Sequence, residues 1–454
     1  MSLTKRVGLL AGTAALSLTS GSLAGTGAGT DQDDLAARLA AAEAQIAEMR
    51  AASGDKWLTE QRAAEIRTIV QDVLADADTR ASLLTQGVTA GYDGGAVLGS
   101  ADGNWLLKTN FHMQQRYIYN NASAATGSST DENVAGFETT RAKFIMTGHV
   151  VSPDWFYRVD HNLASNGNAR EGTLNAYLGH DYGNGWKVAM GTMKAPLLRE
   201  ELVESHNQLT VERSLLNYIF SAGYVDGIEG MYEGEQFRFA ISYNDGHNSG
   251  MTGWGVEDTE WAFTGRVEWL AQGTYDQFSD FTSPQGSEMG ILVGGAIHYE
   301  KAEYGTPTTD DELEVLILTI DGSFEGDGWN AYAAWMYADL DDDAAFDVSP
   351  NGFLIQGGFY VAATLELYGR YEWADFDLSG IEDHGLFTIG VNKYFAGHNA
   401  KWTTDIIFAT EEIDGSVAGA VAPGSPAYGL TGLRTDDAGE DDQFAFRTQL
   451  SIFF

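Results

Sequence analysis

The chain has 454 residues, 44% of them hydrophobic, with 54 glycines, no cysteine and a formal net charge of −39. That hydrophobic share excludes wholesale disorder, and the lack of cysteine excludes disulfides, thiolate zinc sites and a cysteine nucleophile. The charge excludes nucleic acid as a partner, because a phosphate backbone needs clustered Lys and Arg.

The N-terminus reads as a secretory signal. Lys5 and Arg6 form a positive n-region, Val7 through Leu18 an apolar h-region, and Ser22-Leu23-Ala24 a small-residue cleavage site. Cleavage is expected after Ala24, with Ala28 as the alternative. The glycine-rich stretch 25–30 reads as linker; no strand-to-helix turn follows it, so it carries no nucleotide-binding expectation. No later segment approaches the roughly 18–20 consecutive apolar residues of a spanning helix. An exported chain of this kind is either soluble or a closed β-barrel, since only helices and barrels satisfy every backbone polar group in lipid.

Residues 31–86 carry a helical period. Leu35, Leu39, Ala42, Ile46 and Met49 are spaced 4, 3, 4, 3, as in a short coiled coil. Ser53-Gly54-Asp55 breaks the pattern, and Ile66, Val70, Val73, Ala77 and Leu84 resume it. Two readings stand: amphipathic helices folding onto the chain's own body, or a periplasmic oligomerisation stalk. The domains expected are a signal peptide at 1–24, a periplasmic helical or coiled-coil segment at 25–90, and a barrel at 91–454.

From Trp105 onward the period is 2. Trp105, Leu107, Phe111, Met113, Tyr117 and Tyr119 share one face, and Lys108, Asn110, His112, Gln114 and Arg116 the other. The alternation recurs at Phe144–Val150, Trp155–Asn162, Trp186–Met190, Phe237–Tyr243, Trp261–Trp269, Leu365–Trp373 and Trp402–Phe408. Aromatics cap the apolar face at both ends, as in the girdles of membrane barrels. Sixteen such segments can be traced, and the connectors alternate long and short, as outer loops and periplasmic turns do. The connector 271–287 is long where a short one is due, which suggests a miscounted hairpin. The chain closes on an alternating strand, Gln443–Phe454, with Phe444, Phe446, Leu450, Ile452 and Phe454 on one face.

Several motifs resemble the phosphate-selective porins of the O and P type. Gly191-Thr192-Met193-Lys194-Ala195-Pro196, with Glu200 four residues on, resembles the family's Gly-x-x-Lys-x-Pro-x-x-x-Glu, and Glu212-Arg213-Ser214 its Glu-Arg-Ser. Asp102-Gly103-Asn104-Trp105 through Gln115-Arg116-Tyr117 resembles the first strand. Thr140-Arg141-Ala142-Lys143 resembles the Arg-rich second strand, with Thr in place of an Arg. The resemblance covers roughly 90–454. It implies an all-β fold, a sixteen-stranded antiparallel transmembrane barrel in the outer membrane of a Gram-negative-type bacterium, assembled as a homotrimer. It also implies a constriction loop at 195–224 and passage of phosphate or other small anions through a basic constriction.

A porin selects by the charge and radius of its constriction. Of 26 Lys and Arg, eight precede residue 100. Eleven of the rest fall on inward parity: Lys108, Arg116, Arg141, Lys143, Arg158, Lys187, Arg238, Arg266, Arg370, Lys401 and Arg447. Lys194, Arg199 and Arg213 stand on or beside the loop. Guanidinium and ammonium groups so placed would replace part of an anion's hydration shell. Arg141, Lys143, Lys194 and Arg213 are the leading candidates. Any one of these cations could instead be paired with a neighbouring carboxylate, as Arg370 with Glu372 or Glu366. Glu200 and Glu201 on the loop would either cut anion preference or anchor the loop to wall arginines. Acidic runs at Asp339–Asp347, Asp436–Asp442 and Asp310–Glu312 are expected in outer connectors, and none has EF-hand spacing. No catalytic motif, metal site or cofactor is expected. The alternatives are a general or cation-preferring porin of the same fold, and a structural protein tethering the envelope by cell-wall contact of residues 31–86.

Overall fold

The computed structural model describes residues 37, 39–48, 68, 87–123, 131–164, 172–254, 259–304, 311–342, 346–413, 427–435 and 442–454. The expected signal peptide lies outside these residues, as does most of 25–86; residues 39–48 are helical. No helix among the described residues is long and apolar enough to cross a membrane.

The chain divides into two units, Met1–Gly103 and Asn104–Phe454. The first contains an antiparallel hairpin of β1 (Val88–Tyr92) and β2 (Ala96–Ser100), with Val88 opposite Ser100. The expected barrel start at residue 91 falls inside this hairpin.

The second unit opens with β3 (Leu106–Asn121), β4 (Asn133–His149), β5 (Trp155–Asn162), β6 (Gly172–Gly183), β7 (Trp186–Lys194) and β8 (Tyr224–Glu233). It continues with β9 (Phe237–Asn244), β10 (Thr259–Gln272), β11 (Gly290–Tyr304), β12 (Asp311–Gly326) and β13 (Trp329–Asp342). A short β14 (Phe346–Val348) pairs only with the end of β13. Then come β15 (Asn351–Ala362), β16 (Leu365–Asp375), β17 (His384–Tyr394), β18 (Ala400–Ala409) and β19 (Gln443–Phe453). Each long strand pairs antiparallel with its neighbours, and β19 returns to β3, from Phe444 opposite Asn121 to Phe453 opposite His112. Leaving out the β1–β2 hairpin and β14, sixteen strands close a barrel without a free edge. The terminal Phe454 completes the seam: Phe111 and Phe454 exchange both backbone hydrogen bonds, at 2.7 and 3.0 Å, and their rings lie 5.7 Å apart.

The period of 2 decides the faces. Along β15 and β16, side chains alternate between exposed and buried. Outward positions are apolar (Phe263, Val267 and Trp269 on β10), while inward ones are polar (Thr264, Arg266 and Glu268). A bulge between Gln114 and Gln115 leaves Thr140 as the extra residue on β4, immediately before Arg141.

The connector 273–289 is a real connector between paired strands and not a miscounted hairpin, since β10 and β11 pair along their length. It is long because it tucks inward. Phe278, Phe281, Thr282 and Ser283 are buried, and Thr282 Oγ1 lies 2.9 Å from the Tyr360 hydroxyl. The acidic runs also differ from expectation. Asp339, Asp341 and Asp342 stand on β13 and Asp347 on β14, so paired strand rather than open loop carries them. Asp343 and the acidic residues from 436 to 441 lie outside the described residues.

Candidate functional site

The segment 195–223 joins the neighbouring strands β7 and β8, yet it is bonded to strands on every side of the barrel. Glu212 meets β3 and β4, Leu197 O accepts from Arg266 of β10, and Arg199 reaches Ser323 of β12. Glu200 meets Arg370 of β16, Asn392 of β17 donates to Leu209 O, and Lys401 of β18 donates to Gln208 O. A connector between adjacent strands can touch all of these only from inside the closed wall. The expected constriction loop is therefore folded into the lumen.

Two short helices shape it, α1 (Arg199–Leu202) and α2 (Leu215–Phe220). Ser214 caps α2, its Oγ accepting from Asn217 N at 2.9 Å. The carboxylate of Glu372 takes the next free amide, Leu215 N, at 2.7 Å. The loop's apolar residues, Leu197, Leu198, Leu209, Leu215, Leu216, Ile219 and Phe220, pack with Val315, Ile317, Met336 and Leu354 of the inner wall. This explains why β12 reads apolar on both faces, Leu313, Val315 and Ile317 inward and Leu316, Leu318 and Ile320 outward.

Most of the predicted cations are paired. Arg141 binds Glu212 with both terminal nitrogens, at 2.7 and 2.8 Å, and Arg116 donates to the same carboxylate at 2.7 Å. Arg158 is held by Asp160 and by Glu204, each at 2.7 Å. Arg370 pairs with Glu200 at 2.8 Å; Glu372 is farther, at 3.8 Å, and Glu366 instead accepts from Asn330, Asn392 and Tyr394. Arg447 pairs with Asp405, Arg266 with Glu268 and Asp321, and Arg238 with Glu268. An open ladder of free guanidinium groups is thus replaced by charge-neutralised rungs. Of the two loop glutamates, Glu200 anchors the loop to a wall arginine, Arg370, whereas Glu201 braces the loop from within, through Asn217 at 2.8 Å and Arg213 at 3.4 Å.

Other candidates serve the loop or lie away from it. Arg213 donates to the carbonyls of Glu200 and Val203, at 3.0 and 2.8 Å, clamping the turn after α1. Arg199 donates to Phe278 O at 2.7 Å and lies over the rings of Phe278 and Phe281, so it joins the loop to the inward connector 273–289. Lys187 is half exposed beside the turn at residues 184–185, 3.5 Å from Asp181. Lys108 stands near the same end of β3, opposite Thr147.

Lys143 is the exception. Its side chain is largely buried on the inner face of β4, and no hydrogen bond or ion pair to it is found among the described residues. Arg141, Lys194, Arg213 and Glu204 are the charged groups acting on it. Lys194 Nζ donates to Glu201 O at 2.6 Å and keeps Glu201 and Glu204 at 3.9 Å. The four leading cations therefore converge, but only Lys143 lacks a fixed partner. Among loop groups, burial raises the carboxyls of Glu204 and Glu212. The surrounding cations outweigh burial and hold both well below the usual range, Lys194 and Arg158 for Glu204, Arg141 and Arg116 for Glu212. Burial lowers His206 to about 3, so its ring is neutral.

The phosphate-selective porin O and P family model matches residues 111–374, more than half of the chain. An uncharacterized protein of Aquifex aeolicus (strain VF5) is 25% identical over 259 residues, 51% of this chain and 62% of that protein's length. The structure is similar to the anion-selective porin of Comamonas acidovorans, with a TM-score of 0.55, 12% identity and coverage of 77% of this chain and 99% of that one. It is also similar to the outer membrane channel DcaP of Acinetobacter baumannii, with a TM-score of 0.53, 10% identity and coverage of 80% and 100%. At such identities these likenesses establish the fold. With the closed barrel, its outward apolar face and its inward loop, the chain is an outer-membrane porin that belongs to the phosphate-selective porin O and P family.

Proposed function

We propose that this porin passes small anions, phosphate among them, by passive diffusion past a basic locus at Lys143. The observation that carries the reading is the Lys143 amino group, without a hydrogen-bond or ion-pair partner among the described residues and within the electrostatic reach of Arg141, Lys194, Arg213 and Glu204. An ammonium with no fixed carboxylate can exchange water for a passing oxyanion, whereas a guanidinium locked to Glu212 cannot. The family and the anion-selective Comamonas porin support the same direction.

Reversal potential across a salt gradient in a planar bilayer tests this. The wild type is expected to prefer anions, and Lys143→Gln to lose much of that preference. A cation-selective wild type refutes the proposal. One observation favours that second reading: Asp280 and Glu366 act on Glu325 on the side of the inward connector, three carboxylates against the two cations Arg199 and Lys401.

A homotrimer, an export signal at 1–24 and a periplasmic helical segment at 25–90 complete the proposal. Cross-linking in native membranes and the N-terminal sequence of the mature protein check these.

A further inference from the structure

On the wall formed by β9, β10 and β11, three potential metal ligands converge. His298 and Glu300 lie two apart on β11, so both point inward, and both are essentially fully buried. His298 Nε2 is 3.1 Å from Glu300 Oε2. Its Nδ1 is 2.8 Å from Thr264 Oγ1, which also receives Asn244 Nδ2 at 3.1 Å. The connector after β9 brings the third group. His247 N donates to Glu300 Oε2 at 2.7 Å, and the His247 ring stands edge-on to His298, 5.9 Å between centroids. The next residue, Asn248, donates its N–H to Ala222 O at 2.9 Å, at the end of the inward loop. His247 Nε2 is buried and has no hydrogen-bond partner among the described residues.

The ligand atoms of His247, His298 and Glu300 all lie within 4.8 Å of one another. Gly246, with φ +87°, makes the approach feasible, since a Cβ there would come within 2.8 Å of the Glu300 carboxylate. A simple His298–Glu300 pair would not need a second imidazole turned toward it with its nitrogen unsatisfied.

We propose that His247, His298 and Glu300 bind a divalent transition cation of the Zn2+ class. Two imidazoles and one carboxylate suit a borderline cation, and an ion within about 2.0–2.2 Å of each would draw the three together. The Thr264 contact to His298 Nδ1 is the outer hydrogen bond that fixes a ligating ring with Nε2 toward the ion. Bound there, the ion would tie the connector after β9, and through the Asn248–Ala222 bond the end of the inward loop, to the barrel wall.

Isothermal titration of the full, untagged protein with ZnCl2 at neutral pH tests this. One site per chain is expected, weakened at least tenfold in His247→Ala and retained in His247→Cys, which restores a zinc ligand. His247 lies on a connector, so its replacement leaves the strand pairing intact; circular dichroism confirms that the variants are folded. No zinc binding at millimolar concentration overturns the proposal. So does equal binding by wild type and His247→Ala, which would place zinc on other histidines.

Discussion

Glu212 of the inward loop receives both terminal nitrogens of Arg141 of β4, at 2.7 and 2.8 Å, and Arg116 of β3 shares the same carboxylate. This bidentate pair welds the loop to the first strands of the barrel, across a sequence separation of 71 residues.

Glu212→Gln should therefore do two things at once. Two buried guanidinium groups lose their counter-charge, an effect of about 3–5 kcal/mol where a buried pair is broken. Thermal unfolding should begin at lower temperature. The freed Arg116 and Arg141 should also raise anion preference in bilayer recordings. A variant with unchanged melting and unchanged selectivity would contradict the anchoring role.

Arg370 and Glu200 form a second anchor, to β16, four strands round the closed sheet from β3; the two groups are 2.8 Å apart and both almost fully buried. A double-mutant cycle with Arg370→Met and Glu200→Gln should give a coupling above about 1 kcal/mol, larger than exposed pairs yield. Coupling near zero would assign the loop's position to its apolar contacts alone.

The loop carboxylates set the pH behaviour. Glu204 and Glu212 titrate below the usual carboxylate range, so their anchoring is fully present above the unfolded-state value and is lost only as pH falls through their lower folded values. Channel conductance and loop protection in hydrogen exchange should hold steady from pH 7 to about 5. Both should change only in more strongly acid solution. A transition near neutrality attributable to the loop would be inconsistent with these pairs.

Gly191, in the motif before the loop, has φ +132°, and a Cβ there would lie 2.2 Å from Ala176 O of β6. Gly191→Ala should disturb the β6–β7 pairing and lower the yield of heat-resistant, assembled barrel on gels. Wild-type yield would show that the backbone yields at little cost.

The barrel was legible because its signal is local. Alternation at positions such as Trp105 to Tyr119 marks a strand with one apolar face wherever the strand ends up. The Gly191 to Ser214 motifs located the loop for a similar reason, since they are contiguous. The connector 273–289 misled because length alone does not tell an outer loop from a turn that folds inward; the signal is its own apolar content, Phe278 and Phe281. The His247, His298 and Glu300 cluster was invisible, because two of its members share one strand and the third comes from a separate connector.

The sequence by itself determined strand number, the inward parity of the barrel cations and the position of the loop, since all of these follow from period and from short motifs. Tertiary structure alone decided which cations remain available. Glu200 finds Arg370 across 170 residues and Glu212 finds Arg141 across 71, while Lys143, on the same face as Arg141, has no such partner among the described residues. Parity places a charge in the lumen. Whether it meets a solute or a carboxylate depends on where the loop lands when the sheet closes.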